Sequence, residues 1–294
     1  SHAVVLFNPA SSGSITVRRA DKNDLDGSEY STSVSAGRAK IVVLPNTSSD
    51  GTPPKTGYRF FSTDDAVFFA FTLNDFDEKA DSSDWGHPLV PTNKLTSQGL
   101  VGLGYGCTGN DCNADADSFT KARNFVYVTP IADANLWVDF DGDGNADSIV
   151  IDGNNYKPFP MSELESVMLQ NSDGSNWDMT GATIWATDPN DNQNEVTVKI
   201  AIAWGQDPEA HEERGTSHAK SLDMGTIIPP LPEVAASKTV SLLQDLDGDN
   251  KISPGDIIEY TIRITNTGQV PLLAGVFDVI DDFAPLHDEV TYEP

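Results

Sequence analysis

Short stretches of this chain alternate between apolar and polar residues. Residues 67–73, 195–204 and 256–265 each place apolar side chains at every second position. Because successive side chains of a β-strand point to opposite faces of a sheet, this alternation predicts strands with one buried and one exposed face. Gly, Pro, Asn, Asp and Ser separate the apolar runs, a composition typical of turns. The pattern predicts an all-β protein of antiparallel β-sandwich modules in tandem, with an immunoglobulin-like module at the C-terminus.

Helical spacing is confined to residues 161–169. There Ser162 is placed as an N-cap and Glu165 completes a capping box, in which each residue satisfies a backbone N–H of the other. This segment predicts one short helix.

A proline-containing segment predicts the main domain boundary. Residues 227–233 contain three prolines, which remove backbone donors and favour an extended linker. Residues 1–226 are predicted to form a β-sandwich region, long enough for two packed units with a seam near 74–85. Residues 234–294 are fewer than the ~100 of a complete immunoglobulin-like domain and so predict a partial repeat. Either the chain is cut short there, or another segment supplies the missing strands by strand addition at an open edge.

The charge balance limits the partners that the chain can have. It carries 45 acidic and 18 basic residues, for a formal charge of −27. Nucleic acid and anionic membrane surfaces would repel such a chain, so neither is predicted as a partner. No apolar stretch has the length of a membrane helix, so no membrane insertion is predicted in this segment. The acids form either a solvated, salt-adapted surface or sites for divalent cations, of which Ca²⁺ is the one that prefers crowded oxygen donors.

One loop in residues 245–256 has the spacing of an EF-hand-type calcium loop. Acids stand at loop positions 1, 3, 5 and 12, and a hydroxyl stands at position 9. In a tightly coiled loop alternate side chains converge on one centre, which explains the odd-numbered positions. Asn250 takes the position usually held by Gly, and Asn tolerates the left-handed conformation that this position needs. The predicted metal ligands are Asp245, Asp247, Asp249, Lys251 through its carbonyl, Ser253 and Asp256.

A second loop, in residues 139–147, repeats the acidic spacing. Its position 12 is Val150, which cannot bind a metal, so Asp152 or a residue from elsewhere would complete the coordination. The predicted ligands are Asp139, Asp141, Asp143, Asn145, Asp147 and Asp152. In both loops the alternative is an acid-rich turn that binds no metal.

The remaining chemistry-bearing residues are few. Cys107 and Cys112, the two cysteines, predict a small disulfide loop outside the cell, with two free thiols as the alternative. The motifs of serine hydrolases, zinc metalloproteases and nucleotide-binding proteins are all missing from the sequence. We therefore expect that the chain is not an enzyme.

The C-terminal segment resembles a known repeat. The similarity lies in residues 238–240, the acidic loop 245–249, residues 253–256 and residues 260–268. These resemble the immunoglobulin-like conserved repeat of bacterial and archaeal surface proteins, the family called domain of unknown function eleven. Its usual Asp-Thr-Leu-Pro is replaced here by residues 281–285 (DDFAP), and the remainder of the repeat is absent.

Residues 1–226 are similar, more loosely, to the N-terminal domain of immunoglobulin-Fc-binding-type surface proteins. The similar pieces are residues 4–9, 57–73, 178–181 and 203–207. The two resemblances imply an extracellular or cell-surface, repeat-bearing protein with an adhesive or structural role. They do not imply antibody binding.

These inferences predict a calcium-stabilised structural module of an extracellular fibre, matrix or cell-surface protein. Self-association into a fibre or surface assembly is expected, through strand addition or calcium bridging. One alternative is an adhesin that binds a glycan or protein ligand on another cell. Another is an accessory region of a large secreted hydrolase.

Overall fold

The structure is a computed structural model. The residues that it describes are 2–44, 56–74, 86–102, 104, 124–151, 153–169, 178–191, 198–206, 225–229 and 234–266. Within these residues the regular elements are strands and one 3₁₀ turn at Thr92–Lys94, without an α-helix. The strand pairings are antiparallel. The predicted all-β, antiparallel fold class is confirmed. The chain divides into two compact units, Ser1–Leu231 and Pro232–Pro294.

The first unit begins with two three-stranded sheets. One has the order β4-β1-β6 and the other the order β3-β2-β5. The strands are β1 His2–Phe7, β2 Ser14–Ala20, β3 Ser31–Ser35, β4 Ala39–Val43, β5 Arg59–Ser62 and β6 Phe69–Asn74. Both sheets contribute to one buried cluster, which contains Val4, Leu6, Ile15, Val17, Val34 and Val42. Alternation along β1 and β2 sends these side chains inward, as a sandwich strand requires.

Two four-stranded sheets follow in the same unit. Their orders are β12-β9-β14-β7 and β13-β8-β15-β16. The strands are β7 Gln98–Leu100, β8 Asn124–Pro130, β9 Ala134–Asp139, β12 Phe159–Met161, β13 Val167–Leu169, β14 Thr183–Thr187, β15 Ile200–Gln206 and β16 Gly225–Ile227. A hairpin of β10 Ile149–Ile151 and β11 Asn154–Tyr156 lies between β9 and β12 in sequence. The two sheets share the larger core, to which Val128, Leu136, Ile184 and Ile202 belong.

The first unit therefore contains two buried cores. The first core, with the partly buried residues packed against it, extends along the chain to Leu89. The second core begins at Val101. The predicted seam at 74–85 falls outside the described residues except for Asn74. Contacts between the two parts include the Gly57 N–H, which donates to the Leu164 carbonyl at 2.7 Å.

The predicted helix at 161–169 is wrong. Strand β12 ends at Met161 and β13 begins at Val167, with a turn between them. Leu164 has φ = 57°, which a right-handed helix does not allow, and its side chain is buried at 1 % exposure. The capping contact still forms, because the Ser162 N–H donates to the Glu165 carboxylate at 3.0 Å. The capping contact, a local signal for a helix start, is therefore formed within a turn. Burial of Leu164 and pairing of β13 with β8 favour this turn over a helix.

The described part of the second unit is a long hairpin. Its strands are β17 Val234–Gln244 and β18 Ile257–Asn266, which pair along their length with a bulge near Leu242. The alternation predicted for residues 256–265 places Tyr260 opposite Val240 and Ile262 opposite Lys238. The acidic loop 245–256 connects the two strands.

Candidate metal centres

The first acidic loop starts where β9 ends. Asp139, the last residue of that strand, is only 4 % exposed. Its Oδ1 accepts a hydrogen bond from the Gly142 N–H at 2.7 Å, and its Oδ2 accepts one from the Gly144 N–H at 2.9 Å. Both glycines have positive φ, 76° and 88°, a conformation that glycine adopts without steric cost. The chain therefore coils tightly around a buried carboxylate.

Shorter hydrogen-bonded turns complete this loop. Asp141 accepts from the Asp143 N–H at 3.2 Å, and Asp143 accepts from the Asn145 N–H at 2.7 Å. Asp147 reaches back to accept from the N–H of residue 140 at 2.7 Å. As a result, one carboxylate oxygen from each of Asp139, Asp141 and Asp147 lies within 4.8 Å of the others.

The second loop has the same internal hydrogen bonds. Asp245 accepts through Oδ1 from the Gly248 N–H and through Oδ2 from the Asn250 N–H, both at 2.7 Å. Asn250 has φ = 60°, the left-handed conformation expected at loop position 6. Asp247 accepts from the Asp249 N–H at 3.2 Å. Oxygens of Asp245, Asp247 and Asp249 lie within 4.8 Å of one another.

The two loops differ in the residue that closes them. In the second loop Asp256, at position 12, accepts from the N–H of Leu246, at position 2, at 2.9 Å. In the first loop Asp147 makes the equivalent bond from position 9. Val150, at position 12, instead pairs with Asn155 in the β10–β11 hairpin. The first loop is therefore closed by a carboxylate three residues earlier than the second.

Ser253 connects two carboxylates of the second loop. Its hydroxyl lies 3.2 Å from an oxygen of Asp247 and 3.0 Å from one of Asp256, and its N–H donates to Asp256 at 2.8 Å. In the second loop the residue at position 9, Ser253, therefore links two carboxylates. In the first loop position 9 is Asp147, which is itself a carboxylate of the convergent group.

Backbone N–H groups hold several of these carboxylates in the charged form. The Asn250 N–H lowers the pKa of Asp245, and the Leu246 N–H lowers the pKa of Asp256. In the first loop the pKa of Asp143 is lowered chiefly by the backbone N–H two residues further on. A hydrogen bond donated to a carboxylate favours its ionised state. These groups are therefore anionic at neutral pH, as metal binding requires.

The structure places the described predicted ligands within the two acidic loops. The two convergent groups contain six of the predicted acids. The remaining described ligands make hydrogen bonds between backbone N–H groups and carboxylates inside the same loops. They are Asp143, Asn145, Lys251, Ser253 and Asp256. Asp152, Cys107 and Cys112 lie outside the described residues, so the predicted ligand and the predicted disulfide stay predictions. Gly142 and Gly248, which both have positive φ, were not among the predicted residues, although a glycine after an Asp-x-Asp pair signals the tight turn.

Comparisons with known proteins add no family to this picture. No protein-family model, curated protein or solved structure matches the chain. The resemblances to surface-protein domains therefore stay predictions. In the part of the chain that the structure describes, no helix is long and apolar enough to cross a membrane.

Proposed function

We propose that this chain is a calcium-stabilised structural module of an extracellular fibre, matrix or cell-surface protein. The observation that carries the proposal is the repetition of one loop geometry in both units. Each loop contains an acidic Asp-x-Asp-x-Asp segment and brings three carboxylate oxygens within 4.8 Å of one another. They come from Asp139, Asp141 and Asp147 in the first loop and from Asp245, Asp247 and Asp249 in the second. Converging carboxylates repel one another, and a bound cation would offset that repulsion.

The donor set favours Ca²⁺ over other metals. Both groups offer carboxylate oxygens only, whereas zinc sites use Cys and His. Calcium binds oxygen at about 2.3–2.6 Å, so two ligands on opposite sides of one ion are about 4.6–5.2 Å apart. The convergent carboxylate oxygens lie within 4.8 Å of one another, which allows them to share one such ion. Magnesium needs a near-ideal octahedron at about 2.0–2.1 Å and keeps several waters, and it is the closest competitor.

An ion in either loop would stabilise the fold by joining strands. The first loop leads from the end of β9, in the larger core, to the β10–β11 hairpin. The second joins β17 to β18. Without a cation the convergent carboxylates repel one another, in a chain that already carries a charge of −27. A cation that binds only the folded state stabilises it by RT ln(1 + [Ca²⁺]/Kd), about 1.4 kcal/mol per site at ten times Kd.

In an extracellular setting these loops would need only weak affinity. Calcium sites of extracellular modules bind with Kd of roughly 10⁻⁴–10⁻³ M, which gives occupancy where free calcium is that high. The long β17–β18 hairpin supports self-association by strand addition, because in the described residues β17 pairs with β18 alone. An isolated two-stranded hairpin is at best marginally stable in water, so a further strand from this or another chain is expected beside it.

Thermal unfolding in three buffers tests the proposal. The protein is unfolded in excess Ca²⁺, in excess Mg²⁺ and in EDTA, at constant ionic strength. We expect the highest Tm in calcium and the lowest in EDTA, with magnesium nearer to EDTA. Equal Tm values in calcium and EDTA would leave the two loops as metal-free turns and remove the basis of the proposal.

A further inference from the structure

The sheet β12-β9-β14-β7 has one face in the core and one face outward. Alternate residues of β9 and β14, among them Leu136, Val138 and Ile184, are fully buried in the larger core. Because neighbouring side chains of a strand point to opposite faces, the residues between them project to the other side of the sheet. That outward face carries Gln98, Leu100, Asn135, Trp137, Thr183, Trp185 and Thr187, of which Thr187 is fully buried.

Two tryptophans form the centre of this face. Trp137 of β9 and Trp185 of β14 are direct cross-strand partners. Their ring centroids are 6.4 Å apart and their planes differ by 5°. The Trp137 indole N–H donates to the hydroxyl of Thr187 at 3.1 Å, which fixes that ring on the sheet. Trp137 and Trp185 are both half-buried residues.

Polar side chains border the indole pair. Gln98 of β7 lies opposite Trp185, on the side away from Trp137. Asn135 precedes Trp137 by two residues and shares its face. Both amide side chains are half-buried, and neither hydrogen-bonds to another residue in the described ranges. Each amide can both donate and accept hydrogen bonds.

We propose that this face is a binding site for a neutral saccharide, with Trp137 and Trp185 as the stacking surface. The C–H groups of a pyranose ring are weakly positive and pack against the negative face of an indole. The sugar hydroxyls then find donors and acceptors in the amides of Gln98 and Asn135. Flat rigid rings bordered by amides match the amphipathic surface of a sugar better than that of a purely apolar ligand.

The charge near the site selects neutral sugars. Trp137 stands two residues before Asp139, and the acidic loop 139–147 begins at that end of β9. With a chain charge of −27, uronic, sialylated and sulfated sugars are repelled. The stacking face is built from strands of the core sheet, so its aromatic contacts do not require calcium in the acidic loops. Only the selection against anionic sugars draws on the charge of those loops.

A glycan array followed by calorimetry tests the proposal. The full chain is applied to an array that holds neutral, sialylated, uronic and sulfated oligosaccharides, and Kd is measured for the strongest neutral ligand. We expect binding to neutral glycans, weakened at least tenfold by Trp185→Ala and about threefold or more by Gln98→Ala. Phe69→Ala is the matched control, because Phe69 is an exposed aromatic that stacks on Phe7 at 6.4 Å on a different sheet. It should leave Kd unchanged.

Three results would overturn the assignment. The first is binding to no neutral glycan or to anionic glycans alone. The second is a neutral glycan that binds Trp185→Ala and Gln98→Ala as tightly as the wild type. The third is a change of oligomeric state, with unchanged glycan binding, when Trp185 is replaced, which would make the face a contact between copies of the chain. Circular dichroism establishes that each variant is folded, and Gln98→Ala carries the test if Trp185→Ala is not.

Discussion

Replacement of Asp141 by Asn separates the charge of the first acidic loop from its turn geometry. Asp141 is exposed and belongs to the convergent group with Asp139 and Asp147. Its Oδ1 accepts one hydrogen bond, from the Asp143 N–H at 3.2 Å. An Asn side chain keeps that acceptor and has almost the same shape. The substitution therefore removes one negative charge from the group and leaves the turn intact.

The expected effect changes sign with calcium. At a calcium concentration ten times Kd, loss of the site costs about 1.4 kcal/mol, which lowers the Tm of a unit of this size by about 3–6 °C. In EDTA the same change removes repulsion from two carboxylates within 4.8 Å. Each such pair repels by about 1 kcal/mol in water before salt screening. We therefore expect Asp141→Asn to be slightly more stable than the wild type in EDTA.

Differential scanning calorimetry of wild type and variant in calcium and in EDTA measures both effects. Asp188→Asn is the matched control, because Asp188 accepts the Asn190 N–H at 2.8 Å in a similar turn outside both loops. The control should behave alike in the two buffers. If Asp141→Asn lowers Tm equally with and without calcium, Asp141 serves the turn alone and the argument for metal binding in this loop is refuted.

Two further variants test packing and pH dependence. In Gly57→Ala the added Cβ would overlap the Thr129 side chain. We therefore expect the free energy of unfolding, measured in urea, to fall by about 1–3 kcal/mol. Gly102→Ala is the control and should be nearly neutral, because a Cβ at Gly102 meets nothing within 4 Å. The Glu29 N–H is the largest cause that lowers the pKa of Asp24. A lowered folded-state pKa stabilises the fold above the unfolded value and loses that effect as pH falls. Asp24→Asn should therefore destabilise the protein at neutral pH, and its difference from wild type should shrink below about pH 4; a constant difference would contradict this assignment.

Local patterns predicted much of the fold because strands and turns are set by near neighbours. Alternation predicted the strand at 256–265, observed as Ile257–Asn266. The turns of the acidic loops could also be predicted from the sequence, because they depend on near neighbours. Asp141 and Asp247 each accept a hydrogen bond from the N–H two residues further on. The same local reasoning failed at Leu164, where burial and a positive φ override a helix-start signal.

Features set by strand register could not be predicted from one sequence. Asp147 closes the first loop in the role that Asp256 has in the second, which depends on where β10 begins. The pairing of Trp137 with Trp185 depends on the register of β9 and β14. No local pattern in the sequence aligns these two strands, so the outward face that they form is seen only in the structure.

The most direct test of the account is a count of bound calcium. Native mass spectrometry of the wild-type chain in calcium should find two ions, both lost on chelation with EDTA. Asp139→Asn and Asp245→Asn should each retain one ion, because each replaces the carboxylate around which one loop coils. A wild-type chain without calcium, or two ions retained in both variants, would contradict the assignment of these loops as calcium sites.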